Sequence, residues 1–131
     1  MFALDTNTLI YYFRGDGRVG EYLLATSPRK IAVSSIVVHE IETGLAKSNN
    51  PRKRKTQWEQ MLASITVHNI DRETAQTGAK IRAALETAGT PIGPLDTLIA
   101  ASAVQHRATL VTRNLREFER VKGLAVVNWY D

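Results

Sequence analysis

The sequence contains no cysteine. Disulfides, iron-sulfur clusters and cysteine-ligated zinc are therefore excluded, and a reducing compartment is the simplest fit. Long hydrophobic runs are missing as well. No apolar stretch approaches the roughly 20 residues that cross a bilayer, and Met1 leads straight into a core strand with no basic n-region before it. The expectation is a cytoplasmic protein with no membrane association. Histidine is scarce: His39, His68 and His106 are scattered and lack the pairing of a zinc site. Repeats, low-complexity segments and linkers are absent too, which leaves one domain over residues 1–131, long enough for a single core and too short for two.

What is present is the composition of a folded domain, with 44% hydrophobic and 23% charged residues. Lys and Arg number 17 against 13 Asp and Glu, and the resulting net charge of +4 favours a polyanionic partner without proving one. The densest basic run is Arg52-Lys53-Arg54-Lys55, followed closely by Trp58. It reads either as a solvated helix start or as a patch that contacts phosphates.

Residues 2 to 5 read as a strand, followed by turn-forming Thr6, Asn7 and Thr8 and a helix through Leu9 to Phe13. Glu21 to Ala25 is a second short helical piece. Ile31 to Val33 is a buried strand, and Ser34-Ser35 caps a helix through about Ala46. Ser48-Asn49-Asn50-Pro51 breaks it before a helical pattern over Arg52 to Ser64, and Ile65 to Val67 is a strand. Asp71 opens a long helix that Gly89 ends, and Pro94 opens another to about Arg107. Thr109 to Thr112 and Ala125 to Val127 are the last strands. Strands alternating with helices predict right-handed crossovers and a three-layer α/β/α fold around a mainly parallel sheet.

Parallel sheets bind ligands outside the carboxyl ends of their strands. The polar residues just after these strands are mostly acids: Asp5 after the first, Glu40 in the helix behind Ser34, Asp96 in the first turn behind Pro94, and Asn114 with Glu117 after Thr112. Each has an ordinary reading alone. Asp5 can cap a helix, Asp96 suits a helix dipole, Asn114 suits a turn, and Glu117 can be a surface charge. Glu42, on a different face from Glu40, is the candidate for a solvated acid. Convergence argues for more, because clustered carboxylates repel one another unless a cation neutralises them. Hard oxygen ligands of this kind suit Mg²⁺ or Mn²⁺.

The stretches LDTNTLI, SSIVVHEIETG, PIGPLDTLIAASA and LVTRNLREFERVKGL, in that order, resemble the PIN-domain ribonucleases, and specifically the VapC toxins of bacterial toxin-antitoxin modules. The resemblance covers almost the whole chain. It implies a Mg²⁺-dependent endoribonuclease in which Asp5, Glu40 and Asp96 match the family's three acids and Glu117 a frequent fourth. Asp5 and Asp96 are then metal ligands, with Thr6, Asn7, Thr112 and Asn114 around them, and Thr6 and Asn7 orienting Asp5. Many members carry aspartate where this chain has Asn114. The resemblance also implies cleavage that leaves a 3′-hydroxyl and a 5′-phosphate, an RNA substrate that in the most similar members is initiator tRNA in its anticodon stem-loop, a small antitoxin whose tail fills the active-site groove, and dimers.

Two other readings compete. Asp5-Thr6-Asn7-Thr8 superficially resembles the DxDxT loop of haloacid-dehalogenase-type phosphatases, but Asn7 stands where that loop needs an acid. A non-catalytic, basic nucleic-acid-binding domain would use its acids only as helix caps.

Overall fold

Five short strands, all parallel, make one sheet: β1 (Phe2–Leu4), β2 (Ile31–Ser34), β3 (Thr66–His68), β4 (Thr109–Val111) and β5 (Val126–Val127), in the spatial order β3-β2-β1-β4-β5. The computed structural model describes residues 1–131. From β1 the chain steps outward through β2 to β3, then returns to lay β4 on the other side of β1. That reversal makes the gap between β1 and β4 the topological switch point, where open parallel sheets form their binding crevice.

Seven helices flank the sheet: α1 (Thr6–Arg14), α2 (Val19–Leu24), α3 (Ser35–Lys47), α4 (Arg52–Ser64), α5 (Arg72–Thr87), α6 (Pro94–Gln105) and α7 (Leu115–Phe118). Most boundaries fall within a residue or two of the sequence-based expectation, and local chemistry explains why. Ser34 accepts the Val37 N–H and Asp71 the Thr74 N–H, so both act as N-caps. Gly89 ends α5 at φ +73°, a conformation that L side chains resist. Two elements were not expected: α7 and a 3-10 turn at Pro28–Lys30. Both are too short to display a periodicity.

The core is filled from both faces of the inner strands and from the small-residue face of α6, where Ala100, Ala101 and Ala103 are buried. Its largest fully buried side chain is Trp58 of α4. Phe13 meets its ring edge to face at 6.3 Å, and its indole N–H donates to Glu42. Glu42 is therefore not merely solvated, because its exposed carboxylate satisfies a donor that would otherwise be buried without a partner. Trp58→Phe keeps most of the volume but loses this bond, and is expected to cost about 1–2 kcal/mol. Urea titration checks it, as a lowered midpoint with an unchanged slope.

Candidate active site

The β1–β4 pairing runs one residue past β1, since the Asp5 N–H donates to the Val111 carbonyl at 3.1 Å. Asp5 thereby leaves the sheet at the switch point with its side chain buried. Its Oδ1 accepts the Thr8 N–H at 2.9 Å, closing the first turn of α1, while the Thr8 hydroxyl donates to the Val111 carbonyl at 3.1 Å. Capping and chemistry are thus not alternatives for Asp5. The cap engages one carboxylate oxygen. Burial raises the Asp5 pKa above its ordinary 3.8, hydrogen bonds from Thr112 and Thr8 pull it back, and the charge of Glu40 adds to the rise.

Two further helices bring their acids to the same place. Ser34 starts α3 so that half-buried Glu40 lies in its second turn, where Oε1 accepts the Thr6 hydroxyl at 2.6 Å and ties α3 to α1. Pro94 sets the start of α6, and Asp96 falls in that helix's first turn without capping it. The pKa of Asp96 is pushed up from 3.8 to about 6, by burial first and then by the charges of Glu40, Asp5 and Glu117. Carboxylates carried on three other stretches therefore act on Asp96, and one of them, Glu40, also acts on Asp5. Asp5 alone among them caps a helix.

The β4 side completes the surroundings. Thr112 is buried beside Asp5 and accepts the Asn114 N–H on its hydroxyl at 3.0 Å. Asn114 is exposed and lines a cleft of about 330 Å³ with Asp5, Asn7, Tyr11 and Arg113. Glu117, on α7, is half-buried. A second groove, about 340 Å³, runs from Glu40 over Ile10, Phe13, Ile41 and Leu45 to Arg14 and Arg54. Of the basic run only Arg54 turns into it: its guanidinium lies 4.9 Å from the Phe13 ring centre and its buried Nε has no partner, whereas Arg52, Lys53 and Lys55 are exposed.

Some expectations need correction. Thr6 and Asn7 do not orient Asp5: both lie inside α1, which starts before Leu9, Thr6 bonds Glu40, and Asn7 is exposed. Thr8 and Thr112 hold Asp5 instead. Thr8 was the residue that sequence reasoning missed, although a helix-capping aspartate bonds two or three residues ahead and so points to it. The histidines are less scattered than their spacing suggests, since His68 stacks on His106 with ring centres 3.6 Å apart. No histidine is among the charges acting on Asp5 or Asp96.

A wholly parallel α/β sheet with mutually repelling carboxylates at its switch point defines the class: a domain with an oxygen-rich polar site at the carboxyl ends of β1 and β4. The chain belongs to the PIN-domain family, whose profile matches residues 2–124. It is similar to the tRNA(fMet)-specific endonuclease VapC of Salmonella typhimurium, with 34% identity over 128 residues covering 98% of this chain and 97% of the relative. Ribonuclease VapC2 of Haemophilus influenzae is 37% identical over 130 residues, covering 98% and 97%. Among solved structures, DNA-bound VapBC from Salmonella typhimurium superposes with a TM-score of 0.90 at 35% identity, covering 98% and 97%. A family match of this extent displaces the phosphatase reading, and no helix of the chain is long and apolar enough to cross a membrane.

Proposed function

We propose that this chain is a VapC-type toxin, an endoribonuclease of a toxin-antitoxin module that hydrolyses RNA phosphodiester bonds with a divalent cation held by Asp5 and Asp96. The observation that carries the reading is the crowding of charge on Asp96, raised to about 6 by burial and by three neighbouring acids. A fold tolerates such repulsion where a cation relieves it. The donors are all oxygens, which fits Mg²⁺ or Mn²⁺ rather than zinc. No three of these groups are gathered tightly enough to hold an ion by themselves. Mg²⁺ commonly takes one or two carboxylates and keeps its waters.

When bound, the cation would supply positive charge at the phosphate oxygens and lower the pKa of an attacking water. Asp5, fixed by Thr8 and Thr112, and Asp96, on the rigid first turn of α6, would hold it. Glu40 keeps its carboxylate in place through Thr6, so it can orient that water and accept its proton. Glu117 and Asn114 stand at the outer edge. Direct hydrolysis by water uses no covalent enzyme intermediate and leaves a 3′-hydroxyl and a 5′-phosphate.

A tRNA substrate, and initiator tRNA in particular, is supported by the name of the Salmonella relative; the anticodon stem-loop as the place of cleavage is part of the proposal. An antitoxin partner is supported by the VapBC neighbour. The groove beside Glu40 offers such a partner four apolar side chains next to two arginines. Purified protein is expected to degrade bulk RNA with Mg²⁺ and to leave it intact with EDTA. Equal stability of RNA under both conditions overturns the reading.

The Asn114 and Glu117 pair gives a finer test. Asn114→Asp adds a charged oxygen at the cleft and is expected to lower the Mg²⁺ needed for half-maximal cleavage about threefold or more. Glu117→Gln is expected to raise it, and the double variant to recover part of that loss, a non-additivity that groups sharing one site produce. Metal titrations in which all three variants match the unmodified chain would remove both residues from the site.

A further inference from the structure

The cleft on the Asn114 side of the acids is lined by a single cation, Arg113. It directly follows Thr112, so the strand end that supports Asp5 also delivers a guanidinium beside it. Arg113 is exposed, yet its position is built: its Cζ lies 3.5 Å from the Tyr130 ring centre and 5.6 Å from that of Tyr11, and the two rings meet edge to face at 4.8 Å. Neither of the chain's two side-chain ion pairs involves Arg113. The nearby Asp131 carboxylate accepts from the Asn128 amide at 3.0 Å. Aromatic faces attract a cation without neutralising it, and although the guanidinium donates a hydrogen bond to the Tyr11 side chain, the remaining N–H donors of its planar fork are available to an anion.

Tyr130 is itself locked from beneath. Its N–H donates to Asn128 Oδ1 at 2.7 Å, and its carbonyl accepts the Arg18 N–H at 2.8 Å. Gly17 underlies the ring, where a Cβ would stand 2.6 Å from the Tyr130 carbonyl oxygen and 2.7 Å from ring carbon Cδ2, on a backbone at φ +61°. Only glycine fits that floor. The segment fastened this way holds its ring under an arginine that shares a cleft with Asp5.

An acidic site repels the backbone of the polymer it must admit, so a fixed cation at its rim has a clear use. We infer that Arg113 is a phosphate-binding residue of this site, receiving a backbone phosphate of RNA laid across the acids, and that Tyr130 is the residue that positions it. The inference rests on the ribonuclease reading, and a guanidinium fork pairs with phosphate oxygens through two parallel hydrogen bonds.

The test is binding of a labelled single-stranded RNA 20-mer in EDTA over a series of KCl concentrations, so that it does not depend on cleavage. Arg113→Gln is expected to weaken binding about tenfold at low salt and to make log affinity against log salt shallower by about 0.7, the slope of one released counterion on a single strand. Arg113→Lys should restore the slope and only part of the affinity. Tyr130→Phe, which keeps the ring, should behave as the unmodified chain, whereas Tyr130→Ala should reproduce the Arg113→Gln loss and add little to it when combined. Thermal melts identify any variant that fails to fold. An unmodified chain that binds no RNA, or an Arg113→Gln slope and affinity equal to the unmodified ones, overturns the inference, the latter leaving Arg113 to contact a protein partner instead. Cleavage of bulk tRNA with Mg²⁺ by the same preparations tests the ribonuclease reading separately.

Discussion

Replacing Asp96 with asparagine is expected to abolish RNA cleavage while making the metal-free protein more stable. The two effects share one cause. Asp96 is charged at neutral pH only against the opposition of its burial and of Glu40, Asp5 and Glu117, which together lift its pKa from 3.8 to about 6. An amide at this position carries no charge, so the repulsion disappears along with a cation ligand. A shift of two units would correspond to about 3 kcal/mol for a fully desolvated group. Asp96 is partly exposed and solvent screens part of this, so a gain of about 1 kcal/mol is expected. Cleavage should fall roughly a hundredfold to a thousandfold, the usual cost of removing one strong electrostatic contribution to a transition state. Asp5→Asn should lose cleavage similarly, yet asparagine keeps a capping oxygen for the Thr8 N–H. Asp5→Ala loses the cap as well, and should cost about 1 kcal/mol of stability besides. Cleavage assays and urea titrations on the three variants separate these effects, and full activity in either asparagine variant would sink the site assignment.

The sheet and its acids were legible in the sequence for a common reason. Strands buried on both faces read as short apolar runs, and the chain places an acid or a capping residue where each run stops. β1 and β2 therefore announced themselves together with Asp5 and Ser34, which starts the helix carrying Glu40, whereas Asp96 was marked by Pro94 at the start of α6. The start of α1 did not. Asp, Thr and Asn serve turns and helix caps equally well, so Asp5-Thr6-Asn7-Thr8 looked like a turn followed by a helix, whereas the carboxylate closes the helix at once. Side-chain pairings made only by the tertiary fold were also hidden. Thr6 meets Glu40 across 34 residues, and Trp58 meets Glu42 across 16. His68 reaches His106, and Tyr130 reaches Arg113, across spans that carry no periodic signal. Local pattern located the acids. What holds them still depends on contacts between elements, which a residue's neighbours in sequence do not encode.

Lowering the pH from 7 to 5 is expected to switch cleavage off, with the Mg²⁺ requirement rising about tenfold for each unit below about 6. A proton and a cation compete for the Asp96 carboxylate, and below its raised pKa the proton wins. The competition has a counterpart in stability whose sign can be fixed. An unfolded aspartate releases its proton near 3.9, whereas Asp96 in the fold releases it near 6. Between those values the folded chain binds more protons, so the stability of the metal-free protein falls as pH rises through this window and stays reduced above it. Asp5, raised in the same direction, adds to the fall. A cation bound to the ionised carboxylates offsets that loss only where they are ionised. At a hundred times its dissociation constant it would contribute about 2.7 kcal/mol. Mg²⁺ should therefore raise the melting temperature at pH 7.5 and leave it nearly unchanged at pH 4.5, and Asp96→Asn should weaken the response at the higher pH. Melting curves with and without Mg²⁺ at both pH values check this. An equal rise at the two would mean that the ion binds away from these acids, since a site made of carboxylates must lose its cation when they take up protons.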